Sequence, residues 1–103
     1  MNERVKIAEI DQIAPGQRKL VKVKSREIAL FNVEGNFYAI AGRCPHSTGP
    51  LIEGRLFKHT LTCPWHGAQF DITTGQCYSG PATTDVTCYP TYIEDNAIYI
   101  EIA

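Results

Sequence analysis

The sequence predicts an all-β fold, an antiparallel sandwich or small barrel. Three observations predict it. Runs rich in Val, Ile, Leu, Phe and Tyr are short, each ends at a turn signal built from Gly, Pro, Asn or Asp, and no stretch of ten or more residues carries clear helical periodicity. At 103 residues the chain has room for one modest core and not for two. Its hydrophobic share of 44% and charged share of 20% place it with globular chains rather than disordered or fibrous ones.

Taken in order, Lys6–Ile10 reads as a first strand. Ala14-Pro15-Gly16-Gln17 is a turn, with Pro fixing φ and Gly free to take φ > 0. Lys19–Lys24 interleaves Leu20, Val21 and Val23 with Lys22 and Lys24, the pattern of an edge strand whose charges discourage aggregation. Glu27–Val33 and Phe37–Ala41 flank Glu34-Gly35-Asn36, a hairpin signal. A second hairpin is expected over Leu56–Thr62. A third joins Tyr89–Ile93 to Ala97–Ile102 across Glu94-Asp95-Asn96, with Ile98, Ile100 and Ile102 on one face and Tyr99 and Glu101 on the other. Two segments break the pattern: Arg43–Pro50 and Cys63–Gly67 are rich in Pro, Gly, Cys and His and poor in strand formers.

Charge and hydropathy exclude several classes. A net charge of -1 gives no support to a nucleic-acid-coating protein. The longest apolar run, Phe37–Ala41, is too short to cross a bilayer, and Met1-Asn2-Glu3-Arg4 opens no apolar signal segment. The expectation is a cytoplasmic monomer without membrane or nucleic-acid partners. The charge is unevenly spread along the chain: residues 1–58 carry all ten Lys and Arg and a net of +4, whereas residues 59–103 carry a net of -5. Such a run ordinarily solvates a face; the sharper reading is a polar molecule that orients itself against a partner.

The four cysteines are unequal. An even count in a short chain is compatible with two disulfides, but the lack of a secretion signal weakens that reading. Cys44 and Cys63 each stand beside a histidine; Cys77 and Cys88 do not. Written out, Cys44-Pro45-His46 is followed, after sixteen intervening residues, by Cys63-Pro64-Trp65-His66, or C-x-H then C-x-x-H. Two thiolates and two imidazoles, one of each per loop, make a four-ligand site for a soft or borderline metal.

Three readings compete. Structural zinc takes Cys₂His₂, but its fingers pair like ligands and carry the histidines on a helix. Here each pair is mixed and no helix is evident. Buried thiols with unrelated histidines are the second reading. The third is a [2Fe–2S] cluster in which two cysteines hold one iron and two histidines the other. Ligand type, spacing and loop context favour the third. Retaining two neutral imidazoles leaves the oxidised site formally neutral, so adding an electron costs less than it does in a four-thiolate site.

On these residues the chain resembles the Rieske-type ferredoxins. The likeness covers both ligand loops, the Phe70-Asp71-Ile72-Thr73-Thr74-Gly75 strand and turn, and Ser79-Gly80-Pro81-Ala82. It implies an antiparallel β-sandwich spanning 1–103, with a small cluster-binding subdomain of two ligand loops at about 43–81. It assigns Cys44 and Cys63 to the buried iron, His46 and His66 to the exposed iron through Nδ1, and the Gly80-Pro81 segment to a loop over the cluster. High-potential members have a further cysteine in each loop, joined as a disulfide; Gly49 and Trp65 stand there in this chain. Those members also place a serine and a tyrosine near the sulfurs, where this chain has Ala68 and Phe70. Fewer hydrogen bonds to sulfur predict a low potential, about -150 mV.

His59 matches no ligand position and is expected on the surface. Cys77 and Cys88 are expected as packed thiols, a pair between them being possible but not needed. Trp65 is expected to shield the cluster or to contribute to a docking face. The resemblance implies a non-enzymatic carrier of single electrons from a flavin-dependent NAD(P)H reductase to a terminal oxygenase. The small Rieske-like subunit of an assimilatory NAD(P)H nitrite reductase is the alternative, and a zinc-stapled binding domain the third.

Overall fold

The computed structural model describes residues 3–44, 49–65, 67–79 and 85–102, with Ser79 described by its backbone alone. Eleven strands are seen among them: β1 Glu3–Glu9, β2 Arg18–Val23, β3 Arg26–Val33, β4 Asn36–Ala41, β5 Arg55–Phe57, β6 Thr60–Thr62, β7 Gln69–Asp71, β8 Cys77–Ser79, β9 Cys88–Tyr89, β10 Thr91–Glu94 and β11 Ala97–Ile102. They form three antiparallel sheets, ordered β1-β11-β10, β2-β3-β4-β9 and β5-β6-β7-β8. The described helical residues are two single 3-10 turns, Ile10–Gln12 and Leu51–Glu53. The all-β expectation holds.

The β2-β3-β4-β9 sheet is the middle layer, and β3 shows why. Its residues Ile28 to Asn32 are all buried. Side chains alternate across a strand, so Ile28 and Leu30 pack with Ala8, Ile13, Ile98, Ile100 and Ile102 on one face. Ala29 and Phe31 pack with Ile40, Leu51, Leu61, Phe70 and Ile72 on the other. The unbroken Ile-Ala-Leu-Phe run is what burial on both faces requires, and the expectation of a single core is corrected to two apolar clusters, because each face of this sheet is covered by its own layer. Asn32, the one polar residue buried among the described positions, is satisfied: its amide donates to the Ile13 carbonyl (2.8 Å) and its oxygen accepts from the Gly35 amide (2.8 Å). The expected face of Ile98, Ile100 and Ile102 is buried, and Tyr99 and Glu101 are half-buried.

Several boundaries differ from the sequence expectation, for local reasons. Strand β1 starts earlier and stops at Glu9, because the Gln12 side chain accepts the Glu9 amide (2.9 Å) and turns the chain at Ile10. The hairpins turn on two residues rather than three. Glu34-Gly35 (φ 55° and 91°) and Asp95-Asn96 (φ 50° and 63°) both take the positive φ that suits the strand twist. Asn36 and Glu94 therefore belong to strands. Lys24, expected in a strand, instead turns with Ser25 (φ 50° and 69°). The run expected as Tyr89–Ile93 is split at Pro90, which has no N–H for a ladder. Tyr89 pairs with Ala39 in the middle sheet, and Thr91 begins the strand that pairs with β11. Strand β8 has no counterpart in the sequence expectation; three residues of Cys-Tyr-Ser carry too little pattern.

Candidate metal centre

The two ligand loops are closed in the same way. The Cys44 amide donates to the Gly49 carbonyl (2.9 Å), and the Cys63 amide donates to the Ala68 carbonyl (2.8 Å). Each cysteine therefore anchors a loop that returns to it five residues on, and the chain order puts His46 inside the first and His66 inside the second. The first loop is seated by the Arg43–Pro50 bridge and by the Leu51 amide on the Gly42 carbonyl (2.9 Å). It grows out of β4 in the middle sheet. The second joins β6 to β7 in the outer sheet.

Glycines bring the loops together. A Cβ placed on Gly49 would meet the Cys63 sulfur at 3.0 Å and two atoms of the Trp65 indole at 3.2 Å. One on Gly54, just past the first loop, would meet the Thr62 carbonyl at 2.5 Å. The Gly54 approach requires bare backbone, and at Gly49 a side chain would oblige a neighbour to give by a few tenths of an ångström. Arg18 fastens the same segment to the middle sheet: its guanidinium donates to the carbonyls of Ile52 (3.1 Å) and Gly54 (2.6 Å) and lies over the Phe31 ring.

Cys44 and Cys63 are 1% and 2% exposed and belong to one buried apolar cluster with Leu51, Leu61, Ala68 and Phe70. No disulfide joins any of the four cysteines. The donor set fits a thiolate-bound metal, since two sulfurs from two converging loops share one dry floor. His46 and His66 lie outside the described residues, as does the Gly80-Pro81-Ala82 segment. Among the described residues no group of three or more His, Cys, Asp and Glu gathers as a metal site.

Other expected residues are placed plainly. Gly49 and Trp65 face each other across the loops, and no cysteine is there to join them. Ala68 and Phe70 are wholly buried beside the two cysteines and supply no hydroxyl. His59 is exposed on the turn between β5 and β6, its ring edge-on to Tyr38 with centroids 5.5 Å apart. Cys77 and Cys88 pack half-buried against the cluster that holds Cys44 and Cys63. Burial pushes the Cys88 thiol up, and the Asp71 carboxylate adds to this.

Sequence reasoning missed a polar knot beside the site. Asp71 accepts from the Thr73 amide (2.9 Å), the Thr73 hydroxyl (2.6 Å) and the Tyr78 hydroxyl (2.8 Å). Burial opposes ionisation of this carboxyl, but those hydrogen bonds and the nearby His59 together hold it below its ordinary value. The Asp-x-Thr spacing signals the turn; nothing local signals Tyr78. The knot fixes Tyr78 on the rim of an open groove of about 930 Å³ that runs over the outer sheet from Phe57 to Cys63 and Pro64. Phe57 and Tyr78, at 71% and 52% exposed, line this groove, and Trp65, 55% exposed, stands in the second loop.

Comparison with known proteins agrees with this geometry. Residues 3–90 match the Rieske [2Fe-2S] domain family. The chain is 36% identical over 93 residues to the ferredoxin component of the naphthalene 1,2-dioxygenase/salicylate 5-hydroxylase systems of a Ralstonia species, covering 90% of this chain and 89% of that one. It is 45% identical over 76 residues to the 3-phenylpropionate/cinnamic acid dioxygenase ferredoxin subunit of Escherichia coli K12, covering 73% and 72%. Among solved structures it superposes on a ferredoxin of Sphingomonas yanoikuyae B1 with a TM-score of 0.89 at 25% identity, covering 98% and 100%. It also superposes on a chain from a complex of reduced oxygenase and oxidized ferredoxin in carbazole 1,9a-dioxygenase, with a TM-score of 0.86 at 28% identity, covering 94% and 91%.

Proposed function

The chain belongs to the Rieske [2Fe-2S] domain family, and on that premise we propose that it is the ferredoxin of a ring-hydroxylating dioxygenase system, passing single electrons from a flavin-dependent NAD(P)H reductase to a terminal oxygenase. Its role is electron transfer rather than catalysis, as in the relatives named above. The cluster, when bound, supplies a one-electron couple. In this reading Cys44 and Cys63 hold one iron, and His46 and His66 hold the other.

The observation that carries the reading is the convergence of two buried thiols, each at the base of a loop closed by its own amide, on one apolar floor. The floor keeps water and other thiols from the sulfurs. The loop closures fix the cysteine backbone, so the ligands are set before metal arrives. The exposed Phe57, Trp65 and Tyr78 around the outer sheet and second loop suit brief contact with a partner, which needs a small interface. A relative's fold was solved in complex with an oxygenase, which supports an oxygenase as acceptor.

The test is EPR of the dithionite-reduced protein, with iron and acid-labile sulfide assayed on the same sample. The expected result is a Rieske-type signal whose average g lies below that of an all-cysteine cluster. Cys44→Ser and Cys63→Ser should block assembly, whereas Cys77→Ser should leave the visible spectrum intact. A silent sample holding zinc and no sulfide would remove the electron-transfer reading.

A further inference from the structure

Gly49, Cys63 and Trp65 meet at one point of the seam between the two loops. The Gly49 Cα has no side chain, and the space where a Cβ would sit is bounded by the Cys63 sulfur at 3.0 Å and by Cγ and Cδ2 of the Trp65 indole at 3.2 Å. The three differ sharply in solvent contact. Gly49 is buried, Cys63 is 2% exposed and Trp65 is 55% exposed. The indole thus meets the loop seam through Cγ and Cδ2, near a buried sulfur, while about half of the residue stays in water. Nothing else in the chain duplicates it, since Trp65 is the only tryptophan.

We infer that Trp65 is a positioning residue for the metal centre: its indole closes the seam over the Cys63 sulfur, seated on the bare Cα of Gly49, and by keeping water from that sulfur it holds the reduction potential low. The inference rests on the proposed ligand role of Cys63. The physical step is short. Reduction adds negative charge at the sulfurs, and water or another donor stabilises that charge. An apolar cover denies it. Gly49 is part of the device, because a methyl group there must push one of its two neighbours aside by a few tenths of an ångström. The sulfur is buried among packed side chains; the indole is half in solvent and is the one that gives.

The test uses the loaded protein and four variants: Trp65→Ala, Trp65→Phe, Gly49→Ala and the double Gly49→Ala/Trp65→Ala. Potentials are read by redox titration followed by visible circular dichroism, with iron and sulfide assayed on each sample. Trp65→Ala and Gly49→Ala should both shift the potential upward. Trp65→Phe, which keeps an apolar ring, should stay near the wild type. The double variant should rise no further than Trp65→Ala, since both changes open the same seam. An unchanged potential in a fully loaded Trp65→Ala protein overturns the inference, and so does a double variant whose shift is the sum of the singles.

A second readout does not need the cluster. In metal-free protein, alkylation of Cys63 mapped by mass spectrometry should be faster in Trp65→Ala and in Gly49→Ala than in the wild type. Equal rates would overturn the seal even if a variant failed to load. Loss of iron and sulfide from the wild type would instead refute the cluster reading, and the alkylation rates would still decide whether the indole covers the sulfur.

Discussion

Ala68 and Phe70 lie wholly buried beside Cys44 and Cys63, and their missing hydroxyls are the plainest residue-scale reason to expect a low potential. Ala68→Ser should raise it. A bond stronger to the reduced centre by about 1.4 kcal/mol corresponds to about 60 mV for one electron; a potential that falls or stays put would contradict the argument. The Asp71–Tyr78 bond makes a different prediction, in pH. Asp71 is held below its ordinary 3.8, so the stability it contributes is present above that value and is lost as pH falls through its lower folded value. Tyr78 is raised above its ordinary 10.0, chiefly by the bond to Asp71, so its contribution is present below that value and is lost as pH rises through its folded one. The denaturant midpoints of wild type and Tyr78→Phe should therefore differ by a constant amount through neutral pH. The gap should narrow at both the acid and the alkaline end. A gap that ignores pH would show that the bond is not made in solution.

At the scale of elements, β3 and β2 decide where the first ligand loop sits. Strand β3 faces both cores, and β2 lies at the edge of the middle sheet, as its lysines suggest. The exception on β2 is Arg18, which leaves the solvated edge to bind the Ile52 and Gly54 carbonyls. Arg18→Met should loosen the segment after the first loop and cost about 1–3 kcal/mol through carbonyls left without a donor. Lys22→Met, on the same strand but exposed, should change stability by no more than about 0.5 kcal/mol. Equal effects of the two, read by chemical denaturation, would show that the Arg18 strap carries no weight.

Across the whole molecule, strand pairing brings the basic and acidic halves of the chain together. Strand β1, from the basic half, pairs with β11 from the acidic half. Arg4 lies 3.9 Å from Glu94 and over the Tyr92 ring. Within the basic half, Lys24 pairs with Glu3, Lys6 with Glu9, and Arg43 with Glu27. The hydrogen bond from Arg43, with the field of both Arg43 and Lys22, holds the Glu27 carboxyl below its ordinary value. The +4 and -5 halves of the sequence are thus brought side by side where β1 pairs with β11 and Arg4 meets Glu94. Electron-transfer rates with a purified acceptor should depend only weakly on salt, in contrast to a strongly steered encounter. A steep fall between low and physiological ionic strength would show a concentrated charged face.

The sequence by itself determined the elements of short range. Turn residues, strand alternation and the residue types at Cys44, His46, Cys63 and His66 are local properties, and the C-x-H and C-x-x-H spacings are enough to mark both loops as candidates. Residue chemistry also placed Ile98, Ile100 and Ile102 on one buried face. What the tertiary structure decided was which surfaces meet. It made β3 the shared wall of two cores, moved Tyr89 and Thr91 into different sheets across Pro90, and set the Trp65 indole and the Cys63 sulfur against Gly49. It also tied Tyr78 to Asp71 and Arg18 to a loop more than thirty residues away. Local signals arise from the conformational limits of a few adjacent residues. These long-range contacts arise from the summed burial of apolar faces, where many weak terms fix a single packing that no short window of sequence contains.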